Sequence, residues 1–146
     1  MNKIVMLILL SLSMACIAEE SGVTDLTAHD IFDNRASLDL SPRIKHRLLS
    51  NMRGQMMATR SIIALLADER FEKAANIART KLGMPEDLKK IYAASNNEEF
   101  KKLGFAAHTS ADELANILKT KDLKKSLRAL SKTISYCVQC HQKFRQ

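Results

Sequence analysis

One pattern near the end of the chain leaves few folds open. Leu123, Leu127, Leu130, Ile134, Cys137 and His141 recur at spacings of 4, 3, 4, 3 and 4. An α-helix brings residues three and four apart onto one face, so this is the core stripe of a helix. The stripe runs into Cys137-Val138-Gln139-Cys140-His141. Two cysteines separated by two residues and followed at once by histidine have the order and spacing of c-type haem attachment. Each thiol makes a thioether with one haem vinyl group, and the next residue offers the iron an imidazole. Cys137 and His141 share the core seam of their helix, so a haem held by them lies inside a bundle.

Two other chemistries use such a cysteine pair. A thiol-redox pair expects a βαβ setting, and no strand pattern is present. A zinc site expects four ligands, and the chain has no second Cys/His pair at ligand spacing. With 146 residues, four Gly, two Pro and few β-branched runs, the chain is predicted to be one all-α domain long enough to bury a core.

The rest of the chain supplies partners for that helix. Ser41-Pro42 is an N-cap serine followed by proline at the first helical position, and a helix is expected to run to about residue 67. Leu49, Met52, Met56, Thr59, Ile63 and Leu66 form its expected seam. Gly54 is a tolerated interior glycine, or a point of close approach to a neighbour or cofactor. Asp68-Glu69-Arg70 makes a tight connection, so the second helix should lie antiparallel beside the first. Phe71, Ala75, Ala78 and Leu82 mark its buried face, Gly83 stops it, and a short helix follows over residues 85–92. Asn96 or Asn97 caps a third helix, with Glu98 and Glu99 at its positive end and Phe100, Leu103, Ala107, Ala111, Leu114 and Leu118 along its apolar face. Thr120-Lys121-Asp122 is the next break.

The N-terminus reads as a targeting segment. Asn2-Lys3 is a short positive region, residues 4–12 are an apolar run too short for a stable membrane anchor, and Ser13-Met14-Ala15-Cys16-Ile17-Ala18 is a small-residue cleavage region. Residues 1–18 are thus assigned as a signal peptide, 19–40 as a lead-in segment and 41–146 as the bundle, with a periplasmic destination. Cys16 leaves lipid anchoring as the alternative, and only then would the chain sit on a membrane. Cleavage after Ala18 leaves just the two cysteines of the haem motif, which suits an exported protein. It removes Lys3 alone among the charged residues, so 22 Lys and Arg face 16 Asp and Glu. Such a basic surface could steer an acidic redox partner, and export argues against nucleic acid. His29 has no ligand-spaced partner and is read as a solvated histidine.

Four helices with the haem motif in the last few residues resemble the class II c-type cytochromes, cytochrome c′ and its low-spin relatives. The ending from Cys137 through Phe144-Arg145 is similar to that family's, and the resemblance covers roughly residues 41–146. It implies an antiparallel four-helix bundle with a C-terminal covalent haem site, one haem c, and commonly a homodimer. It carries the attachment cysteines onto Cys137 and Cys140, the proximal ligand onto His141, and a basic residue near the haem onto Arg145. On the distal side, aligning on the first interhelical turn puts Met52 at the ligand position. Aligning on Met56-Met57 puts an apolar residue, Leu49, there instead. Met52 is the favoured ligand, and Leu49 and Met56 are expected in the haem pocket. His108 is either a distal ligand or a hydrogen-bonded boundary residue, and Lys45 and His46 either approach the propionates or are solvated. The resulting expectation is an exported monohaem electron carrier, not an enzyme. The alternative is a five-coordinate protein that binds nitric oxide or carbon monoxide.

Overall fold

The computed structural model describes residues 33–146. The signal peptide and its cleavage region, Cys16, His29 and most of the lead-in segment lie outside the described residues. The elements, in order, are β1 (Ala36–Ser37), α1 (Pro42–Ala67), α2 (Phe71–Ile77) continuing as a π-helical turn (Ala78–Leu82), α3 (Glu86–Ala93), α4 (Glu98–Leu118), α5 (Leu123–Lys143) and β2 (Phe144–Arg145). Four helical rods form the all-α bundle, with α3 in the connection between the second and third.

Local chemistry sets the ends. The Ser41 hydroxyl accepts from the Ile44 amide, Asn97 from Phe100 and Asp122 from Lys125, each satisfying a donor of a first turn. At the end of α1, Arg70 N donates to Leu65 O and Glu69 N to Leu66 O, a Schellman arrangement. Its left-handed position is held by Glu69, at φ 55°, where glycine is the usual occupant. Gly83 closes the π-helical turn for another reason. Its φ is −59°, but a Cβ there would stand 2.4 Å from Arg79 O and 2.8 Å from Asp112 Oδ1.

Two apolar clusters fill the bundle. One gathers Ile62, Leu66, Phe71, Ala74, Ala78, Ala111, Leu114, Leu118 and Leu130; the other gathers Leu48, Leu88, Tyr92, Phe100, Leu103 and Phe144. Each fully buried Leu or Phe contributes roughly 1.5–3 kcal/mol relative to exposure. The α2 face is as expected, with Phe71, Ala75, Ala78 and Leu82 all buried. The α4 face also holds, although Ala107 is only half-buried.

The seam of α1 needs correcting. Leu48, Ala58, Ile62 and Leu66 are its buried residues, whereas Leu49, Met56 and Ile63 are exposed. Leu48-Leu49, Met56-Met57 and Ile62-Ile63 are adjacent apolar pairs, so two helical phases fit the sequence equally well. Packing into the two apolar clusters selects one of them. In α5, Leu130 is buried and Ile134 and Cys137 are half-buried, but Leu123 and Leu127 are exposed. The neighbouring Ser126 takes the interior place, where its hydroxyl donates to Asp122 O at 2.7 Å.

The two ends of the described stretch are tied together. β1 and β2 pair in parallel, Ala36 opposite Phe144 and Ser37 opposite Arg145. Phe144 leaves the helix in an extended conformation and buries its ring edge-on to Phe100, with centroids 5.8 Å apart.

Candidate functional site

α1 packs on α2 and α4 packs on α5, but α1 and α5 have no extensive contact. A cleft of ≈ 240 Å³ lies between them. α1 lines it with Met52, Gln55, Met56 and Thr59, spaced as one helical face. α5 lines it with Thr133, Ile134, Tyr136, Cys137, Cys140 and His141. Leu103, Gly104, Ala107 and His108 of α4, with Tyr92 of α3 and Leu82 of the π-helical turn, close the floor.

The two cysteines are a turn apart on one wall, half-buried and free of disulfide. Cys137 Sγ donates to Thr133 O at 3.7 Å. Burial pushes the Cys137 thiol above its ordinary value, and burial followed by the neighbouring Cys137 pushes Cys140 up to about 11. Both are protonated near neutrality, the opposite of the lowered thiol that dithiol redox chemistry requires. Among the described residues no group of three or more Cys, His, Asp or Glu could hold a metal ion by itself.

The cleft suits a flat apolar group with a metal at its centre. Two thiols and an imidazole share one wall, a thioether stands on α1, and the floor is apolar. The floor is also closely packed for a steric reason. A Cβ on Gly104 would stand 2.4 Å from the Tyr92 ring, so the glycine lets that ring lie against α4. Burial pushes the Tyr92 hydroxyl well above the usual tyrosine range, with Cys140 and Cys137 adding to the effect, so it stays protonated.

Met52 is half-buried, and its Sδ accepts from Gln146 Nε2 at 3.5 Å. Met56 reaches the cleft from its rim and is 72% exposed. Leu49 is not a lining residue, because it sits one position off the buried stripe. Arg145 does not line the cleft either. The helix stops at Lys143, and β2 turns Arg145 toward the lead-in segment, where its Nε donates to Arg35 O at 3.3 Å. Lys45 and His46 are exposed on the first turns of α1.

His108 is buried. Its Nδ1 donates to Leu82 O at 2.7 Å and Gly83 O at 3.1 Å, which requires the proton on Nδ1. The ring thus satisfies carbonyls at the end of the π-helical turn, as a hydrogen-bonded histidine would. The carbonyl of His141 accepts from Arg35 Nη1 at 3.2 Å, so the lead-in segment contacts the haem motif directly. Reading by apolar periodicity passed over Gly104, Tyr92 and Gln55. The isolated glycine inside α4 was the available signal for the first two.

A family model described as cytochrome C′ matches residues 48–145. No curated protein and no solved structure matches the chain.

Proposed function

The chain belongs to the cytochrome c′ family and binds covalently attached haem c, and from that premise we propose that it is an exported electron carrier rather than an enzyme. In this reading Cys137 and Cys140 hold the haem, His141 is the proximal ligand and Met52 the distal one. The haem supplies a one-electron ferric/ferrous couple. The protein's part is to fix both ligands, keep water from the iron and tune the potential. Apolar burial and a thioether ligand both favour ferrous iron and raise the potential relative to a second imidazole. Residues 1–18 direct export to the periplasm, where this family typically resides.

The observation that carries the reading is the thioether in the cleft. Met52 lines the same cleft as Cys137, Cys140 and His141, and Leu49 does not. Met56, one turn further along, is the second candidate for the same role. The test is an absorption spectrum of the reduced holoprotein before and after carbon monoxide. A sharp low-spin spectrum that carbon monoxide leaves unchanged is expected. Met52→Ala should then give a high-spin form that takes up the gas, and Met56→Ala should not. A wild-type spectrum that is high-spin and shifts with carbon monoxide would move the assignment to nitric oxide or carbon monoxide binding.

A further inference from the structure

The last turn of α5 carries Cys140 and His141, and the lead-in segment holds it. A helix leaves the carbonyls of its last turn without intrahelical donors. Here the Phe144 amide takes Cys140 O. A helix that ran on would turn the Arg145 amide to His141 O. Phe144 is extended instead, at φ −125° and ψ 145°, and the helix stops. The donor to His141 O comes from Arg35 Nη1, at 3.2 Å.

Arg35 is delivered by an anchored strand. Its own carbonyl accepts from Arg145 Nε at 3.3 Å, so the two arginines brace each other. Ala36 and Ser37 pair with Phe144 and Arg145, and Leu38 N donates to Arg145 O at 3.1 Å. The segment then bends at Asp39, whose φ of 46° is left-handed. Ser37 Oγ ties the bend, donating to Asp39 Oδ1 at 2.7 Å and accepting from Asp39 N at 3.3 Å. Leu38 and Leu40 pack against the cluster that holds Phe100 and Phe144.

We propose that Arg35 is a positioning residue for the proximal side of the haem. It closes the last turn of α5 through His141 O and sets a positive charge beside the residue that binds the iron. The proposal rests on His141 as the proximal ligand, and on neither Met52 nor the carrier role. A cation at a helix C-terminus complements the dipole and steadies the turn. The same charge opposes the extra positive charge of ferric haem and so favours ferrous iron. Lys143, the other cation of that turn, is drawn off by Glu99. The Arg35 contact is exposed, so its loss should be felt in the turn it closes and hardly at all in global stability.

The test compares holoproteins carrying Arg35→Gln, Arg35→Lys and Lys124→Gln, the last removing one exposed charge from the far end of α5. Arg35→Gln should speed amide exchange at Lys143 and Phe144 by about fivefold or more and leave Leu114 and Leu118 unchanged. At low ionic strength it should also raise the ferric-to-ferrous ratio, at a fixed ambient potential, by about twofold or more. Arg35→Lys keeps the charge and should restore most of that ratio. Lys124→Gln should change neither readout. An unmoved ratio, unmoved exchange in the last turn, or equal effects of Arg35→Gln and Lys124→Gln would overturn the assignment. Wild-type NMR separates this from failure of the premise. Without hyperfine-shifted His141 ring protons the ligand assignment falls, and the proposal with it. With them present and the Arg35 variants like wild type, only the role of Arg35 falls. A high-spin wild type that takes up carbon monoxide counts against Met52 and the carrier reading, and the Arg35 comparison is read on that form equally well.

Discussion

Gly104→Ala should destabilise the holoprotein although it replaces the poorest ordinary helix former with the best. The added Cβ would stand 2.4, 2.5 and 2.7 Å from Cε1, Cδ1 and Cζ of Tyr92, where carbon contacts ordinarily lie at about 3.5–4.0 Å. The ring must therefore retreat by about 1 Å, and it has little room. Phe100 lies 5.2 Å away between centroids, His108 5.8 Å and Phe105 6.1 Å. Overpacking of this kind costs roughly 1–3 kcal/mol, against a helix-propensity gain of about 1 kcal/mol. Contacts as short as these place the cost in the upper part of that range, roughly 2–3 kcal/mol, so the net loss expected is about 1–2 kcal/mol, or a melting temperature lower by roughly 4–8 °C. Gly54 is the internal control, because a Cβ there meets nothing within 4 Å on an exposed stretch of α1. Gly54→Ala should raise stability by roughly 0.5–1 kcal/mol. Both are read by thermal and urea unfolding followed at 222 nm. In a Tyr92→Leu background the penalty of Gly104→Ala should largely vanish, since the flexible side chain can yield. A Gly104→Ala protein as stable as the wild type, or the same penalty without the tyrosine ring, would refute the steric argument.

Two further outcomes follow from the same region. His108→Ala should cost about 1–3 kcal/mol by leaving the buried Leu82 and Gly83 carbonyls without their donor, yet leave the axial spectrum of the haem unchanged; a change of spin state would instead make His108 a ligand. The apoprotein with free thiols should lose stability as pH rises from about 9 toward 11, because burial holds Cys140 protonated when folded while the unfolded chain releases that proton earlier. Thioether attachment removes both thiols, so urea unfolding of the holoprotein over the same range should lack that loss.

The sequence by itself determined the helices and the chemistry of one wall of the cleft. Ser41-Pro42 and the Asn96-Asn97 pair announced helix starts, and Asp122 at the expected break caps the next helix, because capping is a local matter of side-chain oxygens meeting orphan amides. Cys137, Cys140 and His141 stood out because their order and spacing are those of one attachment motif, and the structure puts all three on one wall of the cleft. The opposite wall was not legible in the same way. Adjacent apolar pairs such as Leu48-Leu49 satisfy two helical phases, and only the packing of α1 on its neighbours turned Leu48 inward and Leu49 outward. That one-residue choice brings Met52 to the cleft and leaves Leu49 exposed. Arg145 was misplaced for a related reason. Whether α5 continues past Lys143 depends on Phe144 finding Phe100 and on β1 pairing with β2, contacts made across most of the chain's length. Gly104 and Tyr92 meet only in the fold, where the absence of one methyl group decides how closely α3 approaches α4.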